Sequence, residues 1–408
     1  LLYAISRQKS TICCDRAKEI NGEALMVISE YGSIFSIVLF GYLLIPAVLI
    51  GLWGKKIKYY GMLVSLPALY LLIGTHKLPY FIGFLIFEVF LLYLYLFIHK
   101  RTKNDFFYAL MFLLSFIPLV YARLVPYTHW HPLEILGISY MGFRIWQMII
   151  EIHDNHVKSM NLFNLLYFIS FFTTLSSGPI DRYKRFLEDI DHAIERKTYI
   201  HDFLLPGIEK IFYGLVYKFG IASLINMYLI EKIPAHITLV HSLEYMYAYT
   251  FYLFFDFGGY SLLAVGMSYM LGVKAPDNFN KPFLAKDMKD FWQRWHISLS
   301  RWFGDYLFGR FVLAAVRHKW TTNISTATRW AYMVTMTTMG VWHGFTLYYI
   351  IYGVYQGLAL VATDVYLKSK WHRKQMKKKH FVFVSRLVTF HVFAFGLLIF
   401  SGYLFTGK

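Results

Sequence analysis

The stretch YMVTMTTMGVWHGFTLYYIIYGVYQGLALVATDVY, residues Tyr332 to Tyr366, is apolar and long enough to cross a lipid bilayer and come back. A histidine, His343, stands in its middle with Gly340 and Gly344 on either side. An ionisable side chain at membrane depth carries a desolvation penalty, so it persists where something is gained from it. Outward from this stretch the apolar pattern repeats. Runs bounded by Lys, Arg or His lie at Ile34–Leu52, Tyr59–Ile73, Phe81–Ile98, Phe106–Tyr121, Leu162–Thr174, Ile211–Ile230, Met246–Met270 and Phe381–Phe405. The chain reads as an all-α polytopic membrane protein with about 10–12 crossings.

Composition supports that reading. Of 408 residues, 57% are hydrophobic, 20% aromatic and only 16% charged, which is more apolar surface than one water-soluble core can hide. The formal charge of +17 raises the question of nucleic acid. Its basic residues sit in short loops between apolar runs rather than along one stripe, so positive-inside bias accounts for them and no nucleic-acid partner is expected. Lys55, Lys56 and Lys58 follow the first run; His99, Lys100, Arg101 and Lys103 follow the third; seven Lys or Arg lie between Lys368 and Lys379. These loops are placed in the cytoplasm. Between Tyr127 and Arg196 the polar and apolar pieces are too short to alternate cleanly, which predicts re-entrant or interfacial helices. Within that region Asp181 to Asp202 mixes charges with Tyr183, Phe186, Leu187 and Ile190, the pattern of a helix lying on the membrane surface. Residues 1–25 read as an atypical polar extension before the first methionine, Met26, and residues 26–408 as one membrane domain. Both cysteines, Cys13 and Cys14, fall in that extension, and adjacent cysteines rarely close a disulfide.

A second histidine, His296, occurs in an aromatic segment, Asp290 to Tyr306. Wound as one helix, this segment puts Trp292, Trp295, Leu299, Trp302, Phe303 and Tyr306 on one stripe and Arg294, Ser298, Arg301 and Asp305 opposite. His296 falls at the edge of the stripe, where a structural histidine and a functional one look alike. His343 is the sharper candidate, because the flanking glycines remove bulk and an imidazole of ordinary pKa about 6.5 suits a base taking a proton from a hydroxyl. Glu88, Glu134, Arg144, Gln147, Glu151 and Asp256 are also at membrane depth and are expected to face the protein interior. For Asp256, beside Gly258 and Gly259, a structural hydrogen bond is favoured over catalysis. No Walker loop, HExxH, CxxC or ordered Ser, His and Asp set occurs, which argues against ATPase, hydrolase and zinc-site readings.

The segments Leu136-Gly-Ile-Ser-Tyr140, Leu175-Ser-Ser-Gly-Pro-Ile-Asp-Arg182, Phe255-Asp-Phe-Gly-Gly-Tyr-Ser261, Asp277-Asn-Phe-Asn-Lys-Pro-Phe283, Asp290 to Tyr306 and Gly340-Val-Trp-His-Gly344 together resemble the membrane-bound O-acyltransferase superfamily, over most of Leu133 to Asp364. Leu262, the run Arg310-Phe-Val-Leu313 and Tyr348-Tyr-Ile-Ile-Tyr-Gly353 are closer to its D-alanyl-transferring branch than to its alginate-acetylating branch. Gly304 departs from both, standing where an arginine is common. The resemblance implies a ring of helices with a thin centre, His343 as the catalytic base and His296 as the second, supporting histidine. Asp256, Asn278, Asn280, Arg294 and Trp342 become candidates for the substrate path. The implied donor is D-alanine thioesterified to the 4'-phosphopantetheine of an acidic carrier protein, with no bound cofactor and no metal. The implied acceptor is a hydroxyl of lipoteichoic acid, reached directly or through a helper membrane protein, in the cell membrane of a Gram-positive bacterium. Competing readings are a polysaccharide O-acetyltransferase, a lipid or ion transporter, and a non-catalytic scaffold.

A carrier needs a landing surface. Arg310, Phe311, Val312, Leu313 and Arg317, followed by His318 and Lys319, combine apolar bulk with positive charge, as either an acidic partner helix or the membrane surface would require. Replacing Val312 and Leu313 with Asp is expected to abolish pull-down of the carrier while leaving the protein folded. Unchanged pull-down would sink the docking reading.

Overall fold

The computed structural model describes residues 32–128, 135–375 and 378–407. The extension at residues 1–25, with Cys13 and Cys14, and Glu134 lie outside the described residues. The helices, in chain order, are α1 Ile34–Leu52, α2 Lys58–Ile73, α3 Leu78–His99, α4 Asp105–Leu124, α5 Ile138–His153, α6 Leu162–Ile169, α7 Tyr183–Ile190, α8 Arg196–Lys232, α9 Leu239–Met270, α10 Met288–Trp292, α11 Ile297–Phe303, α12 Gly309–Arg317, α13 Ile324–His343, α14 Leu347–Lys368 and α15 Lys379–Phe400. Among the described residues there is no strand, only an isolated antiparallel bridge between Phe279 and Trp295. Seven helices (α1, α3, α4, α8, α9, α14 and the His380–Phe400 part of α15) are long and apolar enough to cross a membrane. That is fewer than the apolar runs of the sequence suggest. The difference lies in pieces too short to qualify, Lys58–Ile73 and Leu162–Thr174, and in α13, which has the length but is rich in Thr.

The stretch Tyr332–Tyr366 does turn back on itself, as a hairpin of two helices. Its two arms, α13 and α14, part at Gly344–Thr346 and pack backbone to backbone. A Cβ on Gly340 would lie 2.4 Å from the Tyr349 carbonyl oxygen, and one on Gly353 would lie 2.6 Å from that of Met336. Glycine at both positions is therefore a condition of the hairpin, the small-residue logic of membrane helix pairs. At the basic end of the hairpin the buried Asp364 carboxylate accepts from Lys289 at 2.8 Å, Lys368 at 2.8 Å and Arg329 at 3.2 Å. One anion thus clamps α10, α13 and α14 together.

Between α5 and α7 the chain is irregular and buried, as the short pieces there predict. Such backbone survives away from water only where protein groups satisfy it. Arg144, on α5 and 1% exposed, does this: its guanidinium donates to the carbonyls of Phe168 and Ile169, both at 2.9 Å, and of Thr174 at 2.7 Å. A cation at the end of α6 is also favoured by the helix dipole. Gln147 adds a further bond by donating to the Asp181 carbonyl at 3.0 Å. Beyond it α7 is amphipathic, as the mixed pattern predicts, and its end is tied to the first basic loop by Lys58 on Asp191 at 2.6 Å. The surface segment stops sooner than the charge pattern to Asp202 suggests, because residues from Arg196 onward already belong to α8.

The single helix expected over Asp290–Tyr306 is not formed. The chain breaks after α10, bridges Phe279 through Trp295, turns at His296 and restarts as α11. The aromatic stripe is still buried, since two short helices with a turn between them present those side chains as well as one helix would. From there the chain descends along α5: Trp302 Nε1 donates to the Phe143 carbonyl at 3.0 Å, Tyr306 meets the Glu151 carboxylate, and Arg310 pairs with Asp154. Replacing Arg144 with Met is expected to strand three carbonyls and cost about 3–5 kcal/mol. Thermal unfolding of the purified protein in detergent should register this as a large fall in midpoint, with Arg144→Lys in between.

Candidate active site

His296 owes its position to a latch. The buried Asn278 accepts at its side-chain oxygen from Ser298 Oγ at 2.6 Å, donates to Ser261 Oγ at 3.0 Å, and takes the Ile297 amide on its backbone carbonyl at 2.9 Å. These bonds pin the start of α11 to α9. The turn they enforce places His296 at φ 45° and ψ 53°, the left-handed region that a residue with a Cβ seldom occupies. Sparse backbone conformations of this kind collect at functional sites, where surrounding contacts hold them. The ring is 6% exposed, sits edge-on to Phe257 at 4.8 Å and stacks on Tyr140 at 6.4 Å, and its Nε2 is buried with no hydrogen-bond partner. His99 Nε2 and His372 Nδ1 are likewise buried without partners, so it is the left-handed backbone together with the unpartnered nitrogen that sets His296 apart.

His343 ends α13 at the turn into α14. Its ring is half-buried, with Trp342 at 4.6 Å, Phe400 at 4.9 Å, Tyr349 at 6.0 Å and Tyr352 at 6.5 Å. Tyr140 connects the two histidines: it is 6.4 Å from His296 and 6.1 Å from Trp342, ring to ring. Trp342 Nε1 and Thr346 Oγ1 are further buried polar atoms without partners. An imidazole base, a second imidazole nearby and unsatisfied donors between aromatic walls can take a proton from one molecule while holding another. Among the described residues no cluster of three His, Cys, Asp or Glu could hold a metal ion.

The remaining sequence candidates divide. Trp342 belongs to the cluster, as described. Asp256 does not: it pairs with Lys218 on α8 at 2.5 Å, in keeping with the structural role favoured for it. Arg294 pairs with Asp290 at 2.6 Å, and the Asn280 amide donates to the Arg294 carbonyl at 2.9 Å, both away from the histidines. Asn278 positions His296 rather than contacting it. Asn278 and Asn280 do line a cavity of about 280 Å³ beside α9, which the rings of Phe257 and Phe279 separate from His296. A larger cavity, about 680 Å³ between α8 and α9, is lined by Ile225, Tyr228, Lys232, Glu244 and Phe251 among others and by no residue of the histidine cluster. On α12, Arg310 is taken up by Asp154 and Phe311 packs on Trp320 at 5.8 Å, while Leu313 is 72% exposed and Arg317 is exposed too. Of the interior polar groups, Glu88 is buried against Ser115 at 2.7 Å, and Arg144 and Gln147 are buried as expected. One residue of the cluster does not stand out in the sequence: Tyr140 closes one of the recognised segments, but nothing in the spelling of that segment distinguishes its ring.

This chain, a helical membrane fold whose two histidines are linked through the rings of Tyr140 and Trp342, belongs to the membrane-bound O-acyltransferase family, whose model matches residues 69–405. It is a multi-pass membrane acyltransferase, which decides against the transporter and scaffold readings. Among individual relatives, it is 41% identical over 391 residues to the teichoic acid D-alanyltransferase of Bacillus subtilis (strain 168), covering 92% of this chain and 98% of that protein. The teichoic acid D-alanyltransferase of Streptococcus thermophilus is 37% identical over 92% of this chain and 96% of its own length. A probable alginate O-acetylase of Pseudomonas aeruginosa is 30% identical over 58% of this chain and 44% of its own length.

The left-handed turn gives a direct test. His296→Gly is expected to unfold at a higher temperature than His296→Ala, by about 1 kcal/mol, because only the alanine places a Cβ at positive φ. Both are expected to lose acyl transfer. Equal midpoints would mean that the turn is not held as described.

Proposed function

We propose that this protein takes D-alanine from the 4'-phosphopantetheine thioester of a carrier protein at the cytoplasmic face and delivers it for D-alanylation of teichoic acid on the outer side of a Gram-positive cell membrane. The observation that carries this reading is that two histidines on separate elements share one aromatic setting, Tyr140 lying 6.4 Å from His296 and 6.1 Å from Trp342, the residue before His343. His296 heads a segment, α11 to α12, that runs along α5 toward Asp154, at the end bearing the basic loops. His343 stands at the far end of α13, 20 residues from the basic side where Lys368 bonds Ser325. At 1.5 Å per residue that is roughly 30 Å of travel.

In this mechanism His343 removes the proton from the accepting hydroxyl as its oxygen attacks the thioester carbonyl. The C–O bond of the ester forms, the C–S bond breaks, and the proton passes to the departing thiolate. His296, its Nε2 unpartnered, is suited to hold or polarise the thioester. A thiolate leaves readily, so the residues on hand suffice for the step. The exposed Leu313 and Arg317 on α12 are offered to the carrier, and the acceptor arrives directly or through a helper protein. Coverage supports D-alanine over acetate: the D-alanyl-transferring relatives align over more than nine-tenths of the chain, the alginate acetylase over 58%.

Transfer of radiolabelled D-alanine from its carrier to membranes containing the purified protein tests the assignment. His343→Ala is expected to lower the rate by about 10²–10⁴-fold, the usual worth of a general base. Equal transfer by both proteins would remove His343 from the role.

A further inference from the structure

Helix α8 leaves the first basic loop at Arg196 and ends at Lys232 on the opposite side, and α9 returns from Leu239 to Met270. On the basic side the two pack backbone to backbone. A Cβ on Gly207 would lie 3.0 Å from the Gly266 carbonyl oxygen, and one on Gly214 would lie 2.9 Å from that of Gly259, so the pairing there depends on glycine. Just past this contact α8 widens into a π turn over Val216–Ala222, a departure from regular helix that is frequent at functional sites. Beyond the turn neither Ser223–Lys232 nor Leu239–Phe257 contains a glycine, the helices stand apart, and the cavity of about 680 Å³ occupies the angle between them. Tyr228 and Phe251, 55% and 39% exposed, flank this groove, so it opens sideways toward lipid.

The depth of the groove and the residues at its mouth indicate what fills it. Along α9 it runs from Glu244 to Phe255, roughly 16 Å of helix, which is one leaflet of a bilayer whose core is about 30 Å thick. A membrane-spanning helix of a partner needs a groove along the whole crossing, and here the glycine contact closes α8 on α9 about halfway. Phe255 lies at the deep end, its ring edge-on to Tyr217 at 5.0 Å. At the mouth stand Glu244 and Lys232, whose ammonium is 5.1 Å from the centre of the Tyr228 ring. An apolar groove one leaflet deep, with a cation and a carboxylate at its open end, has the form of a single phospholipid: an acyl chain against the rings, a phosphate on Lys232, and a head-group hydroxyl donating to Glu244. We infer that the groove between α8 and α9 binds a phosphatidylglycerol molecule from the leaflet opposite the basic loops. Its glycerol head supplies hydroxyl donors that a choline head lacks.

Native mass spectrometry of the purified protein in detergent, titrated with dioleoyl phosphatidylglycerol or dioleoyl phosphatidylcholine, tests this and is indifferent to which acyl group the protein transfers. Wild type is expected to retain one phosphatidylglycerol about 10-fold more tightly than phosphatidylcholine. Lys232→Ala is expected to weaken both lipids by about 5-fold, because both carry the phosphate. Glu244→Ala should bring phosphatidylglycerol down to the level of phosphatidylcholine and leave the latter unchanged. Ile225→Trp, at a half-buried position on the groove wall, should fill the groove and exclude both lipids. Absence of bound lipid on wild type, equal retention of the two lipids, or retention that none of the variants changes would each overturn the proposal. A lipid-free dimer that Ile225→Trp dissolves would overturn it too, by giving the groove to a second copy of the chain. Should Ile225→Trp not fold, the Lys232 and Glu244 variants, both at exposed positions, still decide.

Discussion

Everything distinctive in this molecule depends on Arg144 and the three carbonyls it caps. Chain that stops, turns and ends among buried helices needs partners for its backbone, because lipid forbids backbone whose polar groups have none. A guanidinium delivers several donors to one spot without changing its charge, so it can stand in for the water that a loop at the surface would use. Asn278 does the same on a smaller scale at the start of α11. With these two side chains in place the broken segments on either side of α5 become rigid, and the histidine they carry is held rather than merely accommodated.

Division of labour between the histidines follows from how each is mounted. His343 ends a regular helix whose neighbour approaches closely because Gly340 and Gly353 have no side chains, so its location is a consequence of ordinary helix packing. His296 instead occupies a backbone conformation that only its neighbours make tolerable. The first is placed by what is absent from the sequence around it, the second by hydrogen bonds from residues as far away as Asn278 and Ser261. Asp364, gathering Lys289, Arg329 and Lys368, joins the two systems at the basic side, because α10 leads to His296 and α13 to His343.

Hydropathy alone reveals the long helices, since a crossing is a one-dimensional property of about 20 successive residues. The hairpin at Tyr332–Tyr366 and both histidines are legible in the same way, one as a run of doubled length and the others as exceptions within apolar runs. What is not legible depends on contacts distant in sequence. The break at His296 leaves no mark in the periodicity, because the aromatic stripe is buried by two short helices as well as by one. Asp256 looks available until α8 brings Lys218 to it. Asn278 stands out in the sequence as a residue of the substrate path, whereas its hydrogen bonds make it part of the frame that holds His296.

The aromatic rings around the two histidines have an electrical consequence. Where protein from both sides approaches closely, the potential difference across the membrane falls over a shorter path, and the local field is correspondingly steeper. A water-filled passage there would leak ions. Phe257, Tyr140, Trp342 and Phe400 pack about His296 and His343 at ring separations of 4.6 to 6.4 Å, and Phe143 backs Trp342 at 5.0 Å. Apolar ring surface of this kind is a poor path for an ion.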